Sequence, residues 1–148
     1  MLFRSDTFID LTNAVSYVVS GETQEMSLRA SANLSAIVSN LTVNVSSIDN
    51  AHAFIVSGAS ASMVLEGTNT FNAGKNRAGV TVPSGATLAV SGDGVLNATG
   101  GYQGAGIGAG REGGMGQLSI NGGVIAATGG ESSPGIGPAD ECLWRLAP

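Results

Sequence analysis

Four side chains stand out for chemistry: Lys75, Arg77, Tyr102 and Gln103. Polysaccharide recognition wants an aromatic face for the C–H side of a sugar ring and amide or charged donors for its hydroxyl edge. Tyr102 and Gln103 offer a face and an amide in one short loop. Lys75 and Arg77 offer cations in a loop of the same kind, one repeat earlier in the chain. These four are therefore the expected ligand-binding set. An ordinary hydrophilic loop accounts for the same residues equally well, and at this level both readings stand.

Other chemistries find less support. A lyase or glycosidase needs two carboxylates, or clustered acidic and basic groups, facing one cleft. The 11 acidic residues, Asp49, Glu66 and Asp93 among them, do not read as recurring at a spacing that stacks them on one face. His52, the single histidine, reads as a turn residue before a strand rather than as the base of a serine nucleophile. The chain is accordingly expected not to be an enzyme. Gly108-Ala109-Gly110-Arg111-Glu112-Gly113 spells a dinucleotide fingerprint, but Gly114-Met115-Gly116 and a strand follow it where a helix is required. Residues 113–118 nearly spell a calcium-binding nonapeptide, with Leu118 where the ligand aspartate would stand. Cys142 is alone, which excludes an internal disulfide and a cysteine metal site. Neither metal nor cofactor is expected. Asn72 and Asn97, 25 positions apart, are expected to stack as an asparagine ladder, and Thr68-Asn69-Thr70 is a lone triplet where an ice-binding face would need one per coil.

Composition narrows the class further. Charged residues make up 11% of the chain against about 25% in a typical globular domain, and aromatics only 5%. Ser, Thr, Asn and Ala alternate instead with Val, Ile and Leu, the vocabulary of short strands and tight turns. With 6 basic residues and a net charge of −5, there is no basic patch to neutralise a phosphate backbone, so no nucleic acid is expected as partner. No stretch is long and apolar enough for a membrane helix, and no membrane insertion is expected.

The elements that must position the four candidates come from repetition. Ala78-Gly79-Val80-Thr81-Val82 can be laid over Ala53-Phe54-Ile55-Val56-Ser57, an offset of 25. Val95-Leu96-Asn97-Ala98-Thr99-Gly100-Gly101 returns as Val124-Ile125-Ala126-Ala127-Thr128-Gly129-Gly130, an offset of 29, and Ala105-Gly106-Ile107-Gly108 returns as Pro134-Gly135-Ile136-Gly137 at the same spacing. Such self-similarity marks a solenoid, in which each repeat buries its apolar side only against its neighbours. Short alternating runs, several per repeat, predict a right-handed parallel β-helix of about four coils, an all-β fold with its end coil incomplete. A weaker copy of the pattern sets Leu34 against Met63. The expected inward residues are Ile55, Leu65, Val80, Val90, Leu96, Ile107, Leu118, Ile120 and Ile125. Aligned copies place Lys75-Asn76-Arg77, Tyr102-Gln103-Gly104 and Glu131-Ser132-Ser133 at one edge, where variation between repeats indicates exposed loops.

The series from Ala78 to Gly130, with "PSGATL", "GVLNATGG" and "GAGIG", resembles the carbohydrate-binding right-handed β-helix domains in surface proteins of anaerobic Gram-positive bacteria. The likeness spans about residues 16–137. It implies a pectate-lyase-like solenoid without lyase chemistry, secreted or displayed at the cell surface, with polysaccharide binding (pectin- or cellulose-like) and adhesion as its role. The competing expectation is a structural stalk or spacer within a longer extracellular repeat protein. The expected layout is a single domain over residues 1–137, of which 1–25 form an N-terminal cap, and an irregular tail over 138–148. No leader is legible at Met1 to Asp6 and the tail leaves the repeat abruptly, so a chain cut or frame-shifted from a longer protein is expected over a genuine end cap. An open end coil is expected to self-associate, with Leu143, Trp144 and Leu146 as the alternative plug.

Overall fold

The computed structural model describes residues 8–11, 16–24, 27–30, 33–57, 60–111 and 114–138. Alternating sequence makes short strands, and the glycines and asparagines between them turn the chain always in the same sense. The order is β1 (Phe8–Leu11), β2 (Ser16–Thr23), β3 (Ser27–Ala30), β4 (Leu34–Asn44), β5 (Phe54–Val56), β6 (Ser60–Glu66) and β7 (Thr68–Asn72). It continues with β8 (Val80–Thr81), β9 (Thr87–Gly92), β10 (Val95–Thr99), β11 (Ile107–Gly108), β12 (Gln117–Ile120), β13 (Val124–Thr128) and β14 (Ile136–Gly137). Every pairing between these strands is parallel.

One sheet runs β1-β3-β5-β8-β11-β14, and the other runs β12-β9-β6-β4-β7-β10-β13, with β2 on β4. The long strand β4 explains the second order: residues 34–39 pair with β6 and residues 42–44 with β7. The bend falls at Asn40, held at φ 51°, and in the next coil Gly67 takes the same corner at φ 64°. Three strand faces thus surround one core. β1 and β2 precede about four coils, β3–β4, β5–β7, β8–β10 and β11–β13, and β14 opens another turn. This is the parallel β-helix that the repeat predicts.

Inward rows stack coil on coil. Leu28, Phe54, Val80 and Ile107 line one face, Met63 and Val90 a second, Val43, Phe71 and Ala98 the third, all at most 2% exposed. The Phe54 and Phe71 rings meet across the core with centroids 5.8 Å apart. Five of the expected inward residues, Leu65, Val80, Val90, Leu96 and Ile107, are fully buried, and Leu118 and Ile125 pack partly buried against them.

Three expectations fail in instructive ways. Ile55 faces outward, because Phe54 pairs with Val80 and Ile55 with Thr81. The offset there is 26, not 25, and one residue of slip exchanges the two faces of a strand. Ile120 keeps the inward register, opposite Val90, yet is 41% exposed because it lies on the last coil. Leu34, likewise, pairs with Ala61 rather than Met63.

Among the described residues Ser27, Asn69 and Thr81 are buried polar side chains, and Asn69 lies deepest. Asn69 is 0% exposed between Leu96 and the preceding coil. Its Oδ1 accepts from the Leu41 N–H at 2.9 Å, and its Nδ2 donates to the carbonyls of Glu66 at 3.0 Å and Val95 at 3.3 Å. A single amide thereby ties three coils together at the corner where β6 passes into β7, and its burial is compensated on both sides. The expected ladder of Asn72 over Asn97 is absent: Asn72 pairs with Thr99, and Asn97 with Thr70. The Thr68-Asn69-Thr70 triplet is therefore an ordinary alternation around a core asparagine.

Candidate functional site

The edge loops stack as their sequences align. Asn50, Asn76, Gln103 and Ser132 occupy one turn position in successive coils, with φ of 63°, 69°, 59° and 64°. Asn50 N–H donates to Lys75 O at 3.0 Å, and Asn76 N–H to Tyr102 O at 2.8 Å, so each loop hangs on the next. A left-handed backbone suits Asn best among side-chain-bearing residues, which accounts for the first two members of the row. Asn76 Nδ2 also donates to Asn50 Oδ1 at 3.1 Å.

This stacking sorts the four candidate residues. Arg77 is drawn along the turn row, its Nε donating to Asn50 O at 3.2 Å and a terminal nitrogen to Asn76 O at 3.5 Å. Gln103 holds the left-handed turn position. Lys75 and Tyr102 instead come together one coil apart, with Nζ 6.0 Å from the ring centroid and the ring 47% exposed. They line a groove of about 560 Å³ that Arg77 and Gln103 do not line.

Ser46, Asn72 and Thr99 line the same groove. Asn44, Asn72, Thr99 and Thr128 form one outward row across the pairs β4–β7, β7–β10 and β10–β13. Ser46 Oγ donates to Asn44 Oδ1 at 2.7 Å, which leaves its lone pairs turned to other donors. Gly100 and Gly101 also line it. A side chain on either would run into the backbone of residues 104 and 105 or of Gly74 and Lys75, so the close approach of neighbouring backbone requires glycine at both. The result is a shallow trough with an aromatic wall, a cation, and a line of amide and hydroxyl groups. Sequence reasoning missed Ser46, Asn72 and Thr99. Their signal was the coil spacing, which runs from 26 to 30 between paired strands from β3 onward, where the sequence aligns Asn72 with Asn97 at 25 and other repeats at 29.

The remaining chemical candidates take structural positions. His52 Nδ1 lies 3.1 Å from Thr81 Oγ1, and the Thr81 hydroxyl donates to Ala78 O at 3.4 Å, so the imidazole N–H is the donor of the first bond. Burial, then the positive fields of Arg77 and Arg29, lower its pKa from 6.5 to about 4. It is neutral at physiological pH. Glu66 and Asp93 do fall one coil apart, contrary to the sequence reading, since Leu65 pairs with Gly92. Both are exposed at a corner. No group of three or more His, Cys, Asp or Glu side chains converges among the described residues. The segment after Gly108 contains no helix among the described residues, and Arg111 N–H donates to Asn76 O there. Gly113, Cys142 and the expected plug residues lie outside the described residues.

No protein family, curated protein or solved structure matches this chain.

Proposed function

We propose that this β-helix is a non-enzymatic module that binds a polysaccharide along the groove between Lys75 and Tyr102, outside the cell or at its surface. The observation that carries the reading is that an exposed tyrosine lines one groove together with hydroxyl and amide groups, those of Ser46, Asn72 and Thr99. A sugar ring can stack on the phenol while its hydroxyls exchange hydrogen bonds with that row. The outward row continues through Thr128 in the next coil, which suits a polymer better than a monosaccharide. Among the described residues Lys75 is the one charged residue lining the groove, and it favours an acidic, pectin-like chain over a neutral, cellulose-like one. Among the described residues the groove is lined by no carboxylate or imidazole, and the reading proposed is binding.

Affinity electrophoresis or calorimetry with polygalacturonate and with cello-oligosaccharides tests this. Tyr102→Ala should weaken binding of either ligand about tenfold, in keeping with the loss of one aromatic contact. Lys75→Gln should weaken only the acidic ligand and flatten its salt dependence. No retention of the folded protein by either polymer would leave the stalk reading in its place. Release of unsaturated uronides would replace binding with lyase chemistry.

A further inference from the structure

The edge loops carry charge in a fixed order. Asp49, Lys75, Tyr102 and Glu131 each stand immediately before the left-handed residue of the turn row, Asn50, Asn76, Gln103 and Ser132. Bonds between coils hold these positions in register. Asn50 N–H donates to Lys75 O and Asn76 N–H to Tyr102 O, while the N–H groups of Gly74, Gly101 and Gly130 donate to the carbonyls of Ala51, Arg77 and Gly104. One repeated turn therefore presents a carboxylate, an ammonium, a phenol and a carboxylate in successive coils. All four residues are exposed. Neighbouring parallel strands lie about 4.8 Å apart, so the row advances by that distance at each step.

The groove spans the two inner members of this row, Lys75 and Tyr102, and Asp49 and Glu131 lie outside its lining. Beside it, the hydroxyl and amide row of Asn44, Asn72, Thr99 and Thr128 crosses the same coils. A glycan that follows that row beyond the groove comes alongside Asp49 in one direction and Glu131 in the other. Arg77, on the same edge, is committed to the carbonyls of Asn50 and Asn76 and does not line the groove. Resting on the polysaccharide reading above, we infer that the site selects an acidic glycan whose charged units are isolated, with one uronate at Lys75 and uncharged units to either side. A continuous polyuronate brings a carboxylate against Asp49 or Glu131 whenever it brings another to Lys75. Like charges about 5 Å apart lie well within the screening length and weaken binding by roughly fourfold each.

Methyl esterification removes charge from a galacturonan unit by unit and leaves its backbone alone, so calorimetry with a graded ester series tests this. The expected result is tightest binding at an intermediate degree of esterification, with the fully acidic and the fully esterified polymers both weaker. Asp49→Asn combined with Glu131→Gln should strengthen binding of the fully acidic polymer about tenfold and move the optimum to the acidic end. Binding of the mostly esterified polymer should stay as it was. Asp93→Asn removes an exposed carboxylate at a different corner, and should leave the optimum in place. Affinity that climbs steadily with polymer charge in the native protein would overturn the inference and leave the groove as a polysaccharide site. An Asp93→Asn effect as large as that of the paired variant would also overturn it, by tracing the preference to net charge. Failure of every ester grade to bind would overturn the polysaccharide reading itself, and this selectivity with it.

Discussion

The middle coils and the last coil are made of the same material and fare differently. Val95 to Thr99 and Val124 to Thr128 are near copies and pair residue for residue, yet Leu96 and Ala98 are sealed while Ile125 and Ala127 are only partly covered. Ile107 and Ile136 are the same residue in the same register, one buried and the other 46% exposed. In a solenoid, burial is conferred by the next coil and not by the residue. Side-chain identity therefore says what an inward position can contribute, and its place in the stack says how much it does.

The largest expected effect breaks or confirms that contrast directly. Phe71→Ala, in the covered stack against Phe54, should cost about 3–5 kcal/mol of stability. Ile136→Ala should cost under about 1 kcal/mol, since much of that side chain is already in water. Urea denaturation at low protein concentration compares them. Equal losses would mean that something covers the last coil in the isolated chain.

A pH titration sharpens the same comparison at a polar position. His52 is enclosed among the covered coils, with its pKa held near 4 against 6.5 when unfolded. Between those values the unfolded chain binds the proton and the folded one does not, so stability is full above pH 6.5 and falls as the pH drops toward 4. The loss amounts to about 3 kcal/mol by the bottom of that window. His52→Asn should flatten this part of the stability profile. A profile unchanged by the substitution would show that His52 is not enclosed as the coils place it.

The smallest effect lies where neighbours should not matter. Gln103, in a covered coil, and Ser132, in the last one, share a left-handed turn conformation. Replacing either with Gly should stabilise the protein by roughly 1 kcal/mol, because the relief is local to the backbone. Melting temperature reads both. A gain at one site and not the other would show that the turn row, too, depends on stacking.

Much of this was written in the chain. Alternation of apolar and small polar residues, repeated at nearly regular intervals, points to strands stacked in coils, because each repeat can bury its apolar side only against its neighbours. The loop alignment that sets Asn76 beside Gln103 and Ser132 was legible for the same reason. Pitch was not. From β3 onward coil spacing shifts between 26 and 30; one residue of slip turned Ile55 outward, and two residues of slip broke the expected pairing of Asn72 with Asn97. The sequence by itself determined the strand type, the repeat and the inward parity of most runs, since these depend on local period. Only the tertiary structure decided which residues of different coils touch, and so brought Lys75 to Tyr102 while drawing Arg77 to Asn50. It also decided that Asn69 belongs in the core, because its three partners lie on three successive coils and no local pattern links them.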